Sequence, residues 1–139
     1  MAAAHGVKRN KRWGQKSSRA KLPDLTSSDK AVIATDLSGK VVFWSAAAER
    51  LYGWKWQEVI GRAIVELLVP HSHLPEAAEI MKRLRQGKPW TGPFKLRRRD
   101  GTEFVGIVTD KPMRDEKGNL IGIIGVSEPE RERQRSAER

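Results

Sequence analysis

Residues 35–62, TDLSGKVVFWSAAAERLYGWKWQEVIGR, decide the fold of this chain. They begin with the turn sequence Asp36-Leu37-Ser38-Gly39, which has short β-rich runs on both sides, at Ala31–Thr35 and at residues 40–44. Two runs of branched and aromatic residues joined by an Asp/Gly turn are typical of a β-hairpin. We therefore predict that the folded part of the chain opens with two antiparallel strands.

A short capped helix is predicted directly after this hairpin. Ser45 is a good N-cap residue for a helix over Ala46–Tyr52, since its hydroxyl can accept a hydrogen bond from the first turn. Gly53 suits the left-handed position that ends a helix. Residues 54–60 predict a brief helical turn, and Gly61-Arg62 begins another.

A longer amphipathic helix is predicted between Pro75 and Gly87. Proline is tolerated in the first turn of a helix, and glycine commonly follows the last one. Acidic residues lie near the start and basic residues near the end, as the helix dipole favours. An apolar stripe at helical spacing runs along one face and consists of Leu74, Ala77, Ala78, Met81 and Leu84. Such a stripe packs in a core more often than it binds a cofactor.

The C-terminal half of the chain predicts three further strands, over residues 90–99, 103–111 and 120–126. Asp100-Gly101 is a strong hairpin signal, and residues 115–119 form the next turn. The last run is the most apolar, which predicts a central strand. A hairpin, a helical middle and three more strands indicate an α+β domain with helices over one face of the sheet.

The composition limits the class of protein. At 139 residues the chain can form one domain with extensions. It contains no cysteine, which excludes disulfides, thiolate catalysis and cysteine metal ligands. No apolar run reaches the roughly 18 residues that a membrane span needs, and no signal-peptide pattern follows Met1, so we expect a cytoplasmic protein.

The net charge of +10 is concentrated near the N terminus, where residues 1–30 carry eight Lys/Arg against two acids. Residues 1–29 have too few apolar side chains to fold alone, so we expect a basic extension that is flexible, or helical where it packs on the sheet or on a second subunit. Residues 8–21, with Trp13, could contact nucleic acid or an anionic membrane. A solvated leader is the more common role of such a basic run, and we favour it.

Together these features resemble the PAS domain, a module with which bacterial signalling proteins sense ligands or partners. The resemblance covers about residues 30–127. Its matched pieces, in order, are Asp36-x-x-Gly39, SAAAERLYGW at residues 45–54, Gly61-Arg62, Trp90-x-Gly92, Arg98-Arg99-Asp100-Gly101-Thr102 and Gly118-Asn119-x-x-Gly122. The resemblance implies a five-stranded antiparallel sheet in the order 2-1-5-4-3, helices that wrap a small pocket, and a C-terminal signalling helix that starts within residues 128–139. The family commonly ends its last strand with Asp-Ile-Thr, whereas this chain has Val126-Ser127-Glu128, which leaves the anchoring of that helix open.

The resemblance also bears on cofactors. Flavin-binding light sensors of this fold have a cysteine in the stretch that corresponds to residues 61–64, and this chain has none, so a flavin adduct is excluded. The haem-binding oxygen sensors are similar over residues 44–54, but Ala77 stands where the resemblance places their haem-ligating histidine. His71 and His73 lie nearby at a helix start, and we interpret them as exposed loop residues. We therefore predict no cofactor and no metal site.

Two states of the pocket stay open: a bound small molecule, or a core with no ligand, which we slightly favour because the predicted lining offers few polar groups. That lining consists of Ile33, Thr35, Val42, Leu51, Leu67, Met81, Leu84, Phe94, Leu96, Phe104, Ile107, Ile121 and Ile123. Thr35 and Thr109 are the small hydroxyls expected near it. Arg62, Arg97 and Arg99 could bind an acidic ligand or partner, although a row of arginines is more often a solvated face.

The sequence contains no catalytic constellation. It has three histidines, no cysteine, no Ser-His-Asp spacing and no phosphate-binding glycine loop. Asp36, Asp100 and Asp115 all fall in turns, where aspartate closes hairpins. We therefore predict no enzymatic activity for this segment.

Two classes of function stay open. In the first, the domain is a homodimeric sensory module of a bacterial signal-transduction protein, and it relays a signal through its C-terminal helix to an effector such as the histidine kinase of a two-component system. In the second, it is a ligand-free dimerisation or docking module whose basic arm contacts nucleic acid or another acidic partner. Exposure of Trp44, Trp54, Trp56 or Trp90 would favour the second class.

Overall fold

The computed structural model of the protein describes residues 30–130. The predictions for the basic extension, residues 1–29, lie outside the described residues. The prediction of a signalling helix also lies outside them for residues 131–139.

The described residues form one five-stranded sheet, with strands β1 Ala31–Thr35, β2 Val41–Trp44, β3 Trp90–Arg97, β4 Glu103–Arg114 and β5 Leu120–Pro129. All neighbouring strands are antiparallel, and their order is β2-β1-β5-β4-β3. The structure thus confirms the predicted fold class and strand order. β5 lies in the centre of the sheet, as its apolar sequence predicts.

The helical segment lies between β2 and β3 and comprises α1 Ala46–Tyr52, α2 Trp56–Val59, α3 Ile64–Leu68, a 3-10 turn at His71–His73 and α4 Leu74–Arg85. Side chains from these helices pack together with side chains from β1, β2 and β3 in the larger apolar core. The helices therefore cover one face of the sheet, which we call the helix face. Within residues 30–130, no helix is long and apolar enough to cross a membrane.

Ser45 joins the first helix to the first strand, as well as capping α1 as predicted. Its Oγ accepts a hydrogen bond from the Ala48 N–H at 3.1 Å and another from the Val32 N–H at 3.0 Å. The residue is buried, so both bonds are shielded from water. At the other end of α1, Gly53 adopts φ 83°, the left-handed conformation expected after the helix.

The three hairpin turns use the same aspartate chemistry. The carboxylate of Asp36 accepts hydrogen bonds from the Ser38 and Lys40 N–H groups. Asp100 and Asp115 accept equivalent bonds two residues ahead, from Thr102 and Lys117. The structure thus confirms these aspartates as turn residues. Hydrogen bonds from backbone N–H groups lower the pKa of both carboxyl groups. The largest effect on Asp100 comes from the Thr102 N–H, and the largest effect on Asp115 comes from the Asn119 N–H.

Some boundaries differ from the prediction. β4 continues to Arg114, because residues 111–114 still pair with β5. β5 continues to Pro129, which pairs with Gly106 two residues beyond the predicted end of the domain. In α4, Ala78 is exposed and does not belong to the buried stripe, because the side that packs inward carries Ala77, Ile80, Met81 and Leu84.

The second face of the sheet, which we call the outer face, carries its own apolar cluster. Val32, Ala34, Val42, Met113 and Ile124 are its buried members. Along β1 these residues alternate with Ala31 and Ile33, which belong to the core on the helix face. Alternation of this kind places successive side chains on opposite faces of a sheet.

A small cavity on the helix face

A cavity of about 120 Å³ lies between the sheet and the helices. Its wall combines residues of β1, β3, β4 and β5 with residues of α1, α3 and α4. These are Ile33, Thr35, Tyr52, Ile64, Val65, Leu68, Val69, Ala77, Ile80, Met81, Trp90, Phe94, Leu96, Val108, Asp110, Ile123, Gly125 and Ser127. The wall is therefore apolar except for one carboxyl group, three hydroxyl groups and the indole of Trp90.

The structure brings some of the predicted pocket residues together on this wall. They are Ile33, Thr35, Met81, Phe94, Leu96 and Ile123. Leu67 and Phe104 belong to the same core but do not reach the cavity. Leu51 packs against that core and lines a separate surface depression, whereas Leu84, on α4, is buried but does not line the cavity.

Val42, Ile107 and Ile121 were expected in the pocket but do not line it, and Val42 and Ile121 belong to the apolar cluster of the outer face. Ile107 is excluded by simple alternation, because its neighbour Val108 lines the cavity. Val42 and Ile121 are each the extra residue at a register shift, in the β1–β2 pair and in the β4–β5 pair. A β-bulge inverts the alternation beyond it, so counting in twos from a neighbouring residue gives the wrong face.

Asp110 is the one ionisable acid on the cavity wall. It lies on β4, and its carboxylate forms no hydrogen bond or ion pair with any described residue. The residue as a whole is half-buried and lines the cavity, while its carboxyl group is largely enclosed by protein. This burial raises the pKa of the Asp110 carboxyl to about 7, because the charged form loses its hydration without gaining a partner.

Gly125 provides the space for this carboxylate. The two residues pair directly across β4 and β5, and a Cβ on Gly125 would collide with the Asp110 Oδ1. The backbone of Gly125 is not in the left-handed region, so the effect of a side chain here is on space: the Asp110 carboxylate would have to move away. The carboxylate thus lies over the backbone of the central strand.

The hydroxyl groups on the wall are engaged elsewhere. Tyr52 Oη and Ser127 Oγ lie 2.7 Å apart and form a buried hydrogen bond between α1 and β5. Burial raises the pKa of the Tyr52 phenol above its ordinary value, so this group is neutral at physiological pH. Thr35 Oγ1 donates to the Asp36 carbonyl oxygen at 2.9 Å.

The three positions considered for haem ligation, Ala77, His71 and His73, lie in different surroundings. Ala77 is buried and lines the cavity. His71 is exposed on the 3-10 turn, and the His73 ring lies edge-on to Phe94, with its Nδ1 3.0 Å from Ser72 Oγ. Neither histidine lines the cavity. Within residues 30–130 there is also no group of three His, Cys, Asp or Glu side chains that could hold a metal ion.

The arginines considered for acidic ligands do not form one row. The guanidinium groups of Arg62 and Arg99 each lie 5.2 Å from the ring centroid of Trp54. Arg99 also forms an ion pair with Glu58 at 3.1 Å. Arg97 lies apart from them and donates to the Glu66 carbonyl oxygen.

Among the four tryptophans of the described domain, Trp56 is the exposed one, with 41% of its surface accessible. Trp44 is buried and donates through Nε1 to the Trp54 carbonyl oxygen at 2.9 Å. Trp90 lines the cavity and packs edge-on against Phe94.

The sequence reasoning missed Asp110, Tyr52, Gly125 and Ser127. Asp110 could have been found from strand alternation alone, because Phe104, Gly106, Val108 and Asp110 share one parity along β4. A carboxylate at the inward positions of an otherwise apolar strand is unusual and marks a candidate site. Gly125 had no such signal, since its role depends on which residue lies opposite it.

Comparison with known proteins places this geometry in a family. The profile of the PAS fold matches residues 25–129. Phototropin-2 of Oryza sativa subsp. japonica is 29% identical over 86 residues, which are 62% of this chain and 10% of the phototropin. The chain thus spans about a tenth of the length of the curated relatives it matches.

Solved structures agree in fold. The PAS domain of a protein from Colwellia psychrerythraea has a TM-score of 0.68 at 24% identity, with 84% of this chain and 94% of that chain covered. An RNA-binding light-oxygen-voltage receptor has a TM-score of 0.66 at 23% identity, with 76% of this chain and 30% of that chain covered. At these identities the likeness shows the fold alone.

Proposed function

The chain belongs to the PAS fold family, and we propose that its folded domain is the sensory module of a signal-transduction protein that binds a small molecule in the cavity on the helix face. The observation that carries this proposal is the unpaired Asp110 carboxylate on a largely apolar wall. An apolar pocket with a few placed polar groups is the usual form of a small-molecule site, since the polar groups orient what the apolar wall binds.

The proposed output runs through β5. This strand contributes Ile123, Gly125 and Ser127 to the cavity wall and then leaves the sheet at Pro129. A ligand that contacts the wall therefore contacts the strand that leads to the C-terminal segment. We propose that the segment passes the signal to an effector beyond it, such as the histidine kinase of a bacterial two-component system, in a cytoplasmic homodimer.

We propose neither a catalytic step nor a cofactor for this domain. The cavity of about 120 Å³ is well below the roughly 300–1,000 Å³ of pockets that hold drug-sized ligands, which argues against flavin or haem. Ala77 gives the wall no haem ligand, and a chain without cysteine cannot form a cysteinyl flavin adduct.

Native mass spectrometry of the protein purified under mild conditions tests ligand binding. We expect a bound small mass that is lost in Ala77→Leu, because the larger side chain fills part of the cavity. Ala78→Leu is the matched control, since it places the same side chain one residue further along α4 on the exposed side. A wild-type protein that carries no bound mass and binds no added small molecule would refute the proposal.

The second candidate function is a ligand-free docking module, which the exposed Trp56 favours. Light scattering of wild type and Trp56→Ser distinguishes the two. A dimer that dissociates in the variant, together with an empty cavity, supports docking. Loss of a complex with nucleic acid at raised salt would point instead to the basic extension, a role we regard as secondary.

A further inference from the structure

We propose that the cavity selects a small organic amine, bound as an ammonium ion whose N–H groups donate to the Asp110 carboxylate. The inference rests on the proposed function, because it names the chemical class of the ligand for the same cavity.

The polar groups around Asp110 include no cation. From β3 comes Trp90, which lies opposite Asp110 across the sheet and carries only an uncharged indole N–H. From α1 comes Tyr52, a neutral phenol hydrogen-bonded to Ser127 of β5. From β1 comes Thr35, whose hydroxyl donates to a backbone carbonyl. The α4 residues on the wall are apolar. No described residue thus offers a positive charge to the carboxylate, and a buried carboxylate is costly until something pairs with it.

Gly125 leaves space for the Asp110 carboxylate next to the central strand. Gly125 lies directly opposite Asp110, and a Cβ there would collide with the carboxylate in its present position. A glycine in the central strand weakens the sheet, because it gives up side-chain packing and costs more backbone entropy. The Asp110–Gly125 pair therefore keeps an acceptor directed at the cavity at some expense to stability.

The rest of the wall indicates the size and chemical character of the part of the ligand that does not contact Asp110. A cavity of about 120 Å³ is similar in size to engineered apolar cavities of about 150 Å³ that bind benzene, so a body of roughly six or seven non-hydrogen atoms fits. Tyr52, Trp90 and Phe94 contribute aromatic rings to the wall. Ring faces attract cations, which favours an ammonium over a neutral alcohol of the same shape.

Isoamylamine, isoamyl alcohol and isovalerate have similar apolar bodies and differ in the head group, so they serve as matched probes. We expect titration calorimetry on the intact chain at about pH 8 to give an amine affinity at least about tenfold above that of the alcohol, the size of effect typical of a charge-assisted hydrogen bond. Isovalerate should not bind, because its carboxylate repels Asp110. Asp110→Asn should remove the amine preference, while Glu103→Gln, an exposed acid at the start of the same strand, should leave it unchanged.

Amine affinity should also fall as the pH is lowered below about 7, since the ammonium pairs with the ionised carboxylate while the amine itself stays protonated. This readout separates pairing at Asp110 from a mere change of cavity shape. Circular dichroism and the melting temperature of Asp110→Asn establish that the variant is folded, and Gly125→Ala, which displaces the carboxylate, gives a second test of the same anchor.

Equal binding of alcohol and amine, or a preference that survives in Asp110→Asn, would overturn the amine assignment and leave ligand sensing intact. Binding of isovalerate would do the same and would indicate a protonated Asp110 that donates to an acceptor. A co-purified mass without any amine binding also overturns the assignment. The proposed function itself fails only if no probe binds and no mass co-purifies.

Discussion

Replacing Asp110 by asparagine should change how the stability of the domain depends on pH. The carboxyl group has an ordinary pKa of 3.8 and a pKa of about 7 in the folded protein. Because the folded value is raised, the protonated group favours folding: its contribution is complete below the unfolded pKa and is lost as the pH rises through about 7. Asparagine keeps the shape and has no such titration.

The size of this change in unfolding free energy follows from the pKa shift of Asp110. Three pKa units at about 1.4 kcal/mol each correspond to an upper value of about 4 kcal/mol between strongly acid and alkaline pH. Between about pH 5 and about pH 8 the same two pKa values give roughly 2.5 kcal/mol, and water that enters the cavity lowers this to about 2 kcal/mol. Relative to Asp110→Asn, the wild type should therefore lose about 2 kcal/mol of unfolding free energy over that interval.

Urea denaturation of both proteins at several pH values measures this difference directly. The turn aspartates are present in both proteins, so their contributions cancel when the two curves are subtracted. Glu103→Gln controls for the loss of one negative charge. A difference between wild type and Asp110→Asn that stays constant from about pH 5 to about pH 8 would refute the reasoning, because it would mean that the folded carboxyl titrates like a solvated one.

Three further substitutions test the packing around the cavity. Ser45→Ala should lower the unfolding free energy by about 2 kcal/mol in urea, because the buried N–H groups of Val32 and Ala48 both lose their acceptor, and Ser45→Thr should restore part of it. Tyr52→Phe should cost about 1–2 kcal/mol by leaving Ser127 Oγ unpaired, and no loss would mean that Ser127 finds another partner. Gly125→Ala should cost about 1–3 kcal/mol in wild type and clearly less in an Asp110→Ala background, so a double-mutant cycle without coupling would contradict the contact.

Local signals in the sequence were enough for most of the framework. The bounds predicted for β1, Ala31–Thr35, and for α1, Ala46–Tyr52, agree with the structure because each is set by residues within a few positions. The Asp-x-x-Gly turn defines the hairpin, and Ser45 and Gly53 define the ends of the helix. The strand order was predicted from the family resemblance, because local signals alone do not define it.

The cavity wall was harder to predict because it depends on register between strands. The bulges at Val42 and Ile121 exist only when β1 is laid against β2 and β4 against β5, so no pattern within one strand reveals them. Asp110 was overlooked for a different reason. The other aspartates that the sequence draws notice to lie in turns and are structural, whereas the informative aspartate, Asp110, lies in the middle of β4.

Burial of the unpaired Asp110 carboxylate destabilises the empty domain, and a ligand that pairs with this carboxylate can recover that free energy. A ligand shifts an equilibrium only by as much as it favours one state over the other. At about pH 8 the empty cavity holds an unpaired charge whose burial costs up to about 4 kcal/mol, and a bound cation removes much of that cost. The difference between the empty and occupied states is then concentrated at the Asp110–Gly125 pair, on the strand that leads to the C-terminal segment. A wholly apolar cavity of the same size would make the domain more stable but would give its occupant a smaller effect on that strand.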